Sequence, residues 1–237
     1  MTADIQLLTL TAASAGFIHT IVGPDHYLPF TLIGKARNWN ISKVIGLTLI
    51  CGVGHILSSV ILGLLGIFFG IGLEKINFIE SSRGNIAAWA LIAFGLVYAI
   101  WGLRKAQRKK NHTHIHMHTD GTLHQHTHSH QNEHLHIHDS KTGKTITPWV
   151  LFIIFVLGPC EVLIPLLMYP SAQKSFSGML MVTSVFGVTT LLTMLGMVLF
   201  LSYGFSLIPT RKIGMYTHFI AGLMIFISGL AIQVFGI

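Results

Sequence analysis

The chain has 237 residues, of which 51% are hydrophobic and only 10% charged, and 15 Lys+Arg against 8 Asp+Glu give a formal net charge of +7. Soluble domains carry about 25% charged residues, so a soluble enzyme is excluded, and two cysteines, Cys51 and Cys160, do not make a disulfide-stapled secreted domain. The basic residues flank apolar segments instead of forming a stripe, which excludes a nucleic-acid surface. Five stretches of 18 residues or more lack any Asp, Glu, Lys or Arg, a length that reads as membrane-spanning.

In chain order, six spans account for the sequence. The first runs from about Ile5 to Gly34 and is interrupted near Gly23-Pro24; its roughly 30 residues exceed the roughly 20 that a crossing needs. The others are Val44 to Leu73, Asn85 to Leu103, Pro148 to Pro170, Ser177 to Leu207 and Ile213 to Val234. No Lys or Arg precedes Lys35 and Asp4 is acidic, so no cleavable signal peptide is expected. Twelve of the loop Lys and Arg follow spans one, three and five, against Lys75, Arg83 and Lys174 on the other side. The positive-inside rule then places the larger group in the cytoplasm and both termini outside, in a multi-pass protein of the cell (inner) membrane.

The sequence repeats itself. Gly23-Pro24-Asp25-His26-Tyr27-Leu28 returns as Gly158-Pro159-Cys160-Glu161-Val162-Leu163, and Gly95-Leu96 and Gly102-Leu103 return as Gly222-Leu223 and Gly229-Leu230. Each unit holds three spans, an odd number, so the halves take opposite orientations, as inverted-repeat transporters do. The expected fold is therefore an all-α integral membrane protein of six transmembrane helices in two inverted three-helix repeats, with helices one and four broken. Residues 1–103 form the first repeat, 104–147 a cytoplasmic His-rich loop and 148–237 the second repeat. Pro24 and Pro159 are expected at the first helical position after each break.

Asp25 and Glu161 are the only acids inside these spans, each beside a Gly-Pro pair, and His19, His26, His55 and Cys160 lie near them in sequence or repeat register. Charge in hydrocarbon is costly, so such residues are read as functional. A lone intramembrane histidine is more often a packing residue, but three with two acids at mirrored breaks point to a site. Imidazole, carboxylate and thiolate together suit a divalent transition metal. His19, Asp25, His26, His55, Cys160 and Glu161 are the expected ligands. Half-helix N-termini also suit anions, but three imidazoles and no Arg or Lys within the spans favour a cation.

Eleven further histidines lie at His112, His114, His116, His118, His124, His126, His128, His130, His134, His136 and His138, a density that reads as metal binding. Their alternation is strand periodicity, interrupted by turn-type residues at 119–121 and 131–133. Three-residue turns would pair His116 with His124 and His114 with His126, then His130 with His134 and His128 with His136. A small hairpin or meander with all imidazoles on one face is expected, ordering on metal.

At His19-x5-Asp25-His26 and Gly54-His55-Ile56-Leu57-Ser58-Ser59-Val60, the chain resembles the NicO-type nickel/cobalt transporter superfamily and its urease-accessory relatives. Those proteins carry a His and then Asp-His in one membrane helix, a Gly-His-Ser/Thr-type motif in the next, and in many members a His-rich loop between halves. The resemblance implies His19, Asp25, His26 and His55 as ligands, although here five residues rather than four precede Asp-His. Gly158-Pro159-Cys160-Glu161-Val162-Leu163-Ile164-Pro165 is also similar to Gly/Ser-Pro-Cys segments of the transmembrane thiol-disulfide shuttles of cytochrome c biogenesis and of TauE/SafE-type sulfite exporters. A shuttle needs two cysteines at mirrored positions, whereas Cys160 is mirrored by Asp25 and Cys51 by Phe186.

The reading is a nickel or cobalt transporter, with zinc or copper as alternatives, no cofactor beyond the transported metal and no enzymatic activity. A sulfite or organosulfur anion exporter is the second alternative and a thiol-disulfide electron shuttle the third. The metal ion and the lipid bilayer are the expected partners, nucleic acid is not, and self-association is left open. The cytoplasmic loop tilts the direction to efflux, with Asp25 or Glu161 coupling protons.

Overall fold

The computed structural model describes residues 3–108, 113–117, 123–127, 147–160, 162–173, 175–207 and 214–235. Among the described residues eight α-helices carry the membrane part: α1 (Ala3–Val22), α2 (Leu28–Ala36), α3 (Ile41–Phe68), α4 (Leu73–Arg108), α5 (Thr147–Leu157), α6 (Leu163–Ala172), α7 (Phe176–Leu207) and α8 (Thr217–Phe235). Among the described residues five, namely α1, α3, α4, α7 and α8, are long and apolar enough to cross a bilayer. The protein is thus a helical integral membrane protein.

The expected first span is broken where its Gly-Pro pair stands. α1 stops at Val22, Pro24–His26 form one 3-10 turn, and α2 restarts at Leu28. The chain is held across the gap by Gly23 N–H donating to the His19 carbonyl (3.0 Å) and by the Tyr27 hydroxyl donating to the Ile21 carbonyl (3.0 Å). Gly23 is required by proximity: a Cβ there would meet His26 Nδ1 at 2.6 Å. α2 ends in a tight connection in which Asn38 takes φ 51°, a left-handed conformation that Asn tolerates. Asn40 then caps α3, its side-chain oxygen accepting from Lys43 N–H at 3.0 Å.

The expected fourth span is broken as well, as its Gly-Pro pair predicts. It is two short helices, α5 with 11 residues and α6 with 10. Each is about 15–17 Å long, roughly half the hydrocarbon thickness. The break is wider than expected: α6 begins at Leu163, so Pro159 lies in irregular chain and not at a first helical position. Pro24 does open its 3-10 turn.

α4 also departs from expectation. Instead of starting near Asn85 it extends back to Leu73, 36 residues in all. Glu74, Lys75, Glu80 and Arg83 therefore belong to a spanning helix, so Asp25 and Glu161 are not the only acids in the spans, nor are the spans free of Lys and Arg. α4 lies along α8 on reciprocal glycines. A Cβ on Gly95 would strike the backbone of Phe226, one on Gly222 that of Ala99, one on Gly102 that of Phe219 and one on Gly229 that of Ile92. Each step forward on α4 meets a step back on α8, so the two are antiparallel. Small residues let the backbones touch, which is how helices associate in lipid.

Two apolar cores hold the rest. One joins Phe30 and Ile33 of α2, Cys51 of α3, Leu151 and Phe155 of α5, Met194 of α7 and Ile225 of α8. The other joins Ala12 of α1, Ile56 of α3, Cys160, Leu163 of α6 and Phe186 of α7. His55 stands on α3 between Cys51 of the first and Ile56 of the second.

Between α4 and α5, strands β1 (Thr113–Met117) and β2 (Leu123–Thr127) form an antiparallel pair that pairs His114 with His126 and His116 with His124. That is the register expected for the first turn, in a loop hairpin outside the all-α membrane part. His112, His118, His128, His130, His134, His136 and His138, with the second turn, lie outside the described residues.

Candidate metal centre

The break between α1 and α2 does chemical as well as structural work. It turns His26 back toward the end of α1, where His19 stands in the last turn, and both face His55 from the middle of α3. Ring centroids are 4.8 Å apart for His19–His26, 5.1 Å for His26–His55 and 6.3 Å for His19–His55. One nitrogen from each ring lies within 4.8 Å of the other two. His26 and His55 are 3% and 2% exposed.

Hydrogen bonds fix which nitrogens of His26 and His55 are free to ligate. His26 Nδ1 lies 3.0 Å from the Gly23 carbonyl and 3.1 Å from Asp25 Oδ1, and His55 Nδ1 lies 3.2 Å from the Phe155 carbonyl. These neighbours only accept, so each Nδ1 must carry the proton and donate it, which leaves Nε2 with its lone pair. The Nε2 atoms of His19, His26 and His55 are all buried with no hydrogen-bond partner. Buried unpaired nitrogens are costly, and three histidines clustered this closely form an arrangement in which a metal ion could satisfy them. A ring that ligates through one nitrogen usually donates from the other to a carboxylate or carbonyl. Tetrahedral coordination at about 2.1 Å wants the nitrogens about 3.4 Å apart, so a small inward turn of the rings closes the set.

Of the six expected ligands, the structure brings together the three histidines. Asp25 lines the same cavity of about 380 Å³ but stands behind His26 as the acceptor of its proton, a positioning carboxylate. Cys160 is fully buried in the second core, its backbone N–H donating to Ser59 Oγ at 3.2 Å, and does not line the cavity. Glu161 lies outside the described residues. His218 makes a separate cluster, 2.9 Å from the Tyr98 hydroxyl and 3.1 Å from Lys105 Nζ.

The sequence reading missed Glu80 and Arg83. Glu80 is fully buried and accepts from Arg83 Nη1 at 2.7 Å. Arg83 Nη2 donates to Ser58 Oγ at 2.8 Å, to the Val156 carbonyl at 2.8 Å and to the Gly158 carbonyl at 3.5 Å. Carbonyls in the last turn of a helix lack intrahelical partners, and α5 ends inside the protein. Gly158 N–H donates to the Ile154 and Phe155 carbonyls at 2.9 and 3.1 Å, His55 adds a second donor at Phe155, and Arg83 supplies the partner of Val156. Ser58 in turn donates to the His55 carbonyl at 2.8 Å, so the guanidinium braces the broken end of α5 against the turn that carries His55. The one sequence signal was a Glu-x-x-Arg spacing just ahead of an apolar run.

A helical membrane protein with a buried imidazole cluster at a helix break is the class that fold and site define. The chain belongs to the family described as cytochrome c biogenesis protein transmembrane region, whose model matches residues 27–231. No curated protein and no solved structure matches it. The family match overturns the resemblance to the NicO-type nickel/cobalt superfamily: short motifs around two histidines carried that resemblance, whereas this family accounts for most of the chain. The match takes in Cys51, His55 and Cys160 but starts at Tyr27, just after His19, Asp25 and His26.

Proposed function

We propose that the protein carries a transition-metal cation across the bilayer, with His19, His26 and His55 as its binding site and Asp25 orienting His26. The observation that supports this reading most is the clustering of three histidines, each with a buried, unpartnered Nε2 and one ring nitrogen within 4.8 Å of the other two. Neutral imidazoles suit cobalt, nickel, copper and zinc as a class, and neither the donor set nor the family match singles out nickel or cobalt. The arginine now found within α4 does not turn the site toward anions, because Glu80 and backbone carbonyls occupy its donors.

The two halves are inferred to be inverted repeats. A shift of 127 residues carries the Gly95–Phe226 contact onto Ala99–Gly222 and Gly102–Phe219 onto Ile92–Gly229. That is the pattern a two-fold axis through the α4–α8 crossing would leave. Rocking of such halves about a midplane site is the usual basis of alternating access. The paired strands of the loop, with histidines at facing register positions, support a metal-collecting role for residues 112–138.

The family assignment speaks for a second reading, transmembrane thiol-disulfide exchange, over the first. Both cysteines are free and fully buried. Cys160 abuts Ser59, which is eight residues, or about 12 Å of helix, beyond Cys51. A disulfide needs Cα atoms within about 7 Å, so this reading requires a large rearrangement of α3 against the break.

Equilibrium dialysis with Co2+ or Zn2+ separates the two, using a variant whose eleven loop histidines are changed to Gln. One ion bound per chain, lost in His26→Ala and kept in Cys160→Ser, supports the carrier. No ion bound, together with reductant-driven thiol reduction across the membrane that fails in Cys160→Ser, supports the shuttle.

A further inference from the structure

The cavity that holds the histidines is not closed on all sides. It extends along the first part of α4, past Asn85 and Gly84 to Ser81, and along the end of α8 to Gln233. From Leu91, which lines the same cavity as the histidines, to Ser81 is ten residues, about 15 Å of helix rise. A second cavity shares Ser81 and Val162 with the first and continues to Asn77 and Glu74 at the start of α4. The two cavities adjoin at Ser81 and Val162 and together run as a groove toward the end of α4 remote from Arg104 and Lys105. In the opposite direction the path is stopped at once, because the Phe30 and Phe155 rings lie 4.6 Å apart beneath His26 in the first apolar core.

We propose that this groove is the path by which a hydrated cation moves between the histidines and the membrane face opposite the basic loops, with Ser81, Asn85 and Gln233 as its polar lining and Glu74 at its mouth. The proposal rests on the metal-carrier reading and deepens it, since it makes the structure the state open to one face. The lining carries the required chemistry. Gln233 Nε2 donates to Asn85 Oδ1 at 3.2 Å across the α4–α8 seam, while Gln233 Oε1 is buried with no partner. An unpartnered amide oxygen, a hydroxyl and an amide in an otherwise apolar wall can replace waters of a passing ion, as pore linings do. A carboxylate at the mouth raises the local concentration of cations.

The test is thiol accessibility in the full chain. Ser81→Cys and Asn85→Cys are made singly, in membrane vesicles exposed to a membrane-impermeant maleimide from one face at a time. Lys43→Cys in the first turn of α3, next to the connection from α2, marks the faces, and Leu57→Cys on the outer, half-exposed side of α3 controls for lipid-facing positions. The two native cysteines are fully buried and set the baseline. Labelling of Ser81→Cys and Asn85→Cys should run on the order of tenfold above baseline, because a thiol reacts only where water and reagent reach it. It should come only from the face opposite Lys43→Cys, and Zn2+ or Co2+ should slow it. Labelling from the Lys43 face, or none above baseline at both positions, overturns the groove as a path. Labelling from the expected face without metal protection keeps the path and overturns the cation reading beneath it.

Discussion

His26 and His55 meet edge to face, with ring centroids 5.1 Å apart and planes at 90°, and each turns its Nδ1 away to an oxygen on its own side. His26 sits in the turn that breaks α1 from α2 and His55 in the middle of α3, so the geometry exists only while the break holds its shape. Removing either ring should abolish high-affinity metal binding. Asp25→Asn should do less. The orienting carboxylate is lost but the three nitrogens remain, and affinity should fall by about 10- to 100-fold. Titration with Co2+, read through its visible absorption, distinguishes the two outcomes: a ligand loss removes the tetrahedral spectrum, whereas an orientation loss weakens binding with the spectrum intact.

Arg83, a mostly buried residue, should matter for stability. Arg83→Gln leaves the fully buried Glu80 without its cation, and breaking a buried pair from one side costs about 3–5 kcal/mol. Glu80→Gln added to Arg83→Gln should recover part of that loss. A double-mutant cycle from unfolding in detergent measures the coupling. Equal loss in the single and double variants would mean that the guanidinium acts through the α5 carbonyls alone.

The α4–α8 seam gives a contrast between glycines. Gly95→Ala or Gly222→Ala puts a methyl into the backbone of the facing helix and should lower the melting temperature sharply. Gly196→Ala on α7 has open space within 4 Å and should be neutral or stabilising by about 0.5–1 kcal/mol. Thermal unfolding of the three variants side by side checks this.

Removing residues 112–138 should lower apparent affinity for the metal without abolishing transport, since the three-histidine site lies elsewhere. Initial rates measured over a range of ion concentrations read the change as a raised KM with kcat kept. Complete loss of flux would put the loop in the path itself.

Much of this was legible in the sequence because it rests on local chemistry. Gly23-Pro24 and Gly158-Pro159 mark both breaks, since proline and glycine interrupt a helix whatever surrounds them. The pairing of His114 with His126 followed from alternation and turn length alone. The reach of α4 was hidden because Glu80 and Arg83 read as loop residues singly, and only their pairing lets them enter a helix against the break. The position of Asp25 behind His26, not beside the other ligands, depends on how the 3-10 turn folds back. The family was obscured by short motifs around His19, Asp25, His26 and His55, three of which lie ahead of the matched region.

The most direct test is ion flux into proteoliposomes loaded with a metal-sensitive dye, for wild type, His55→Ala and Cys160→Ser. Flux of Zn2+, Co2+ or Ni2+ in wild type and Cys160→Ser, with loss in His55→Ala, is the predicted result. A wild-type protein that moves none of these ions, yet passes reducing equivalents across the bilayer through Cys160, would contradict it.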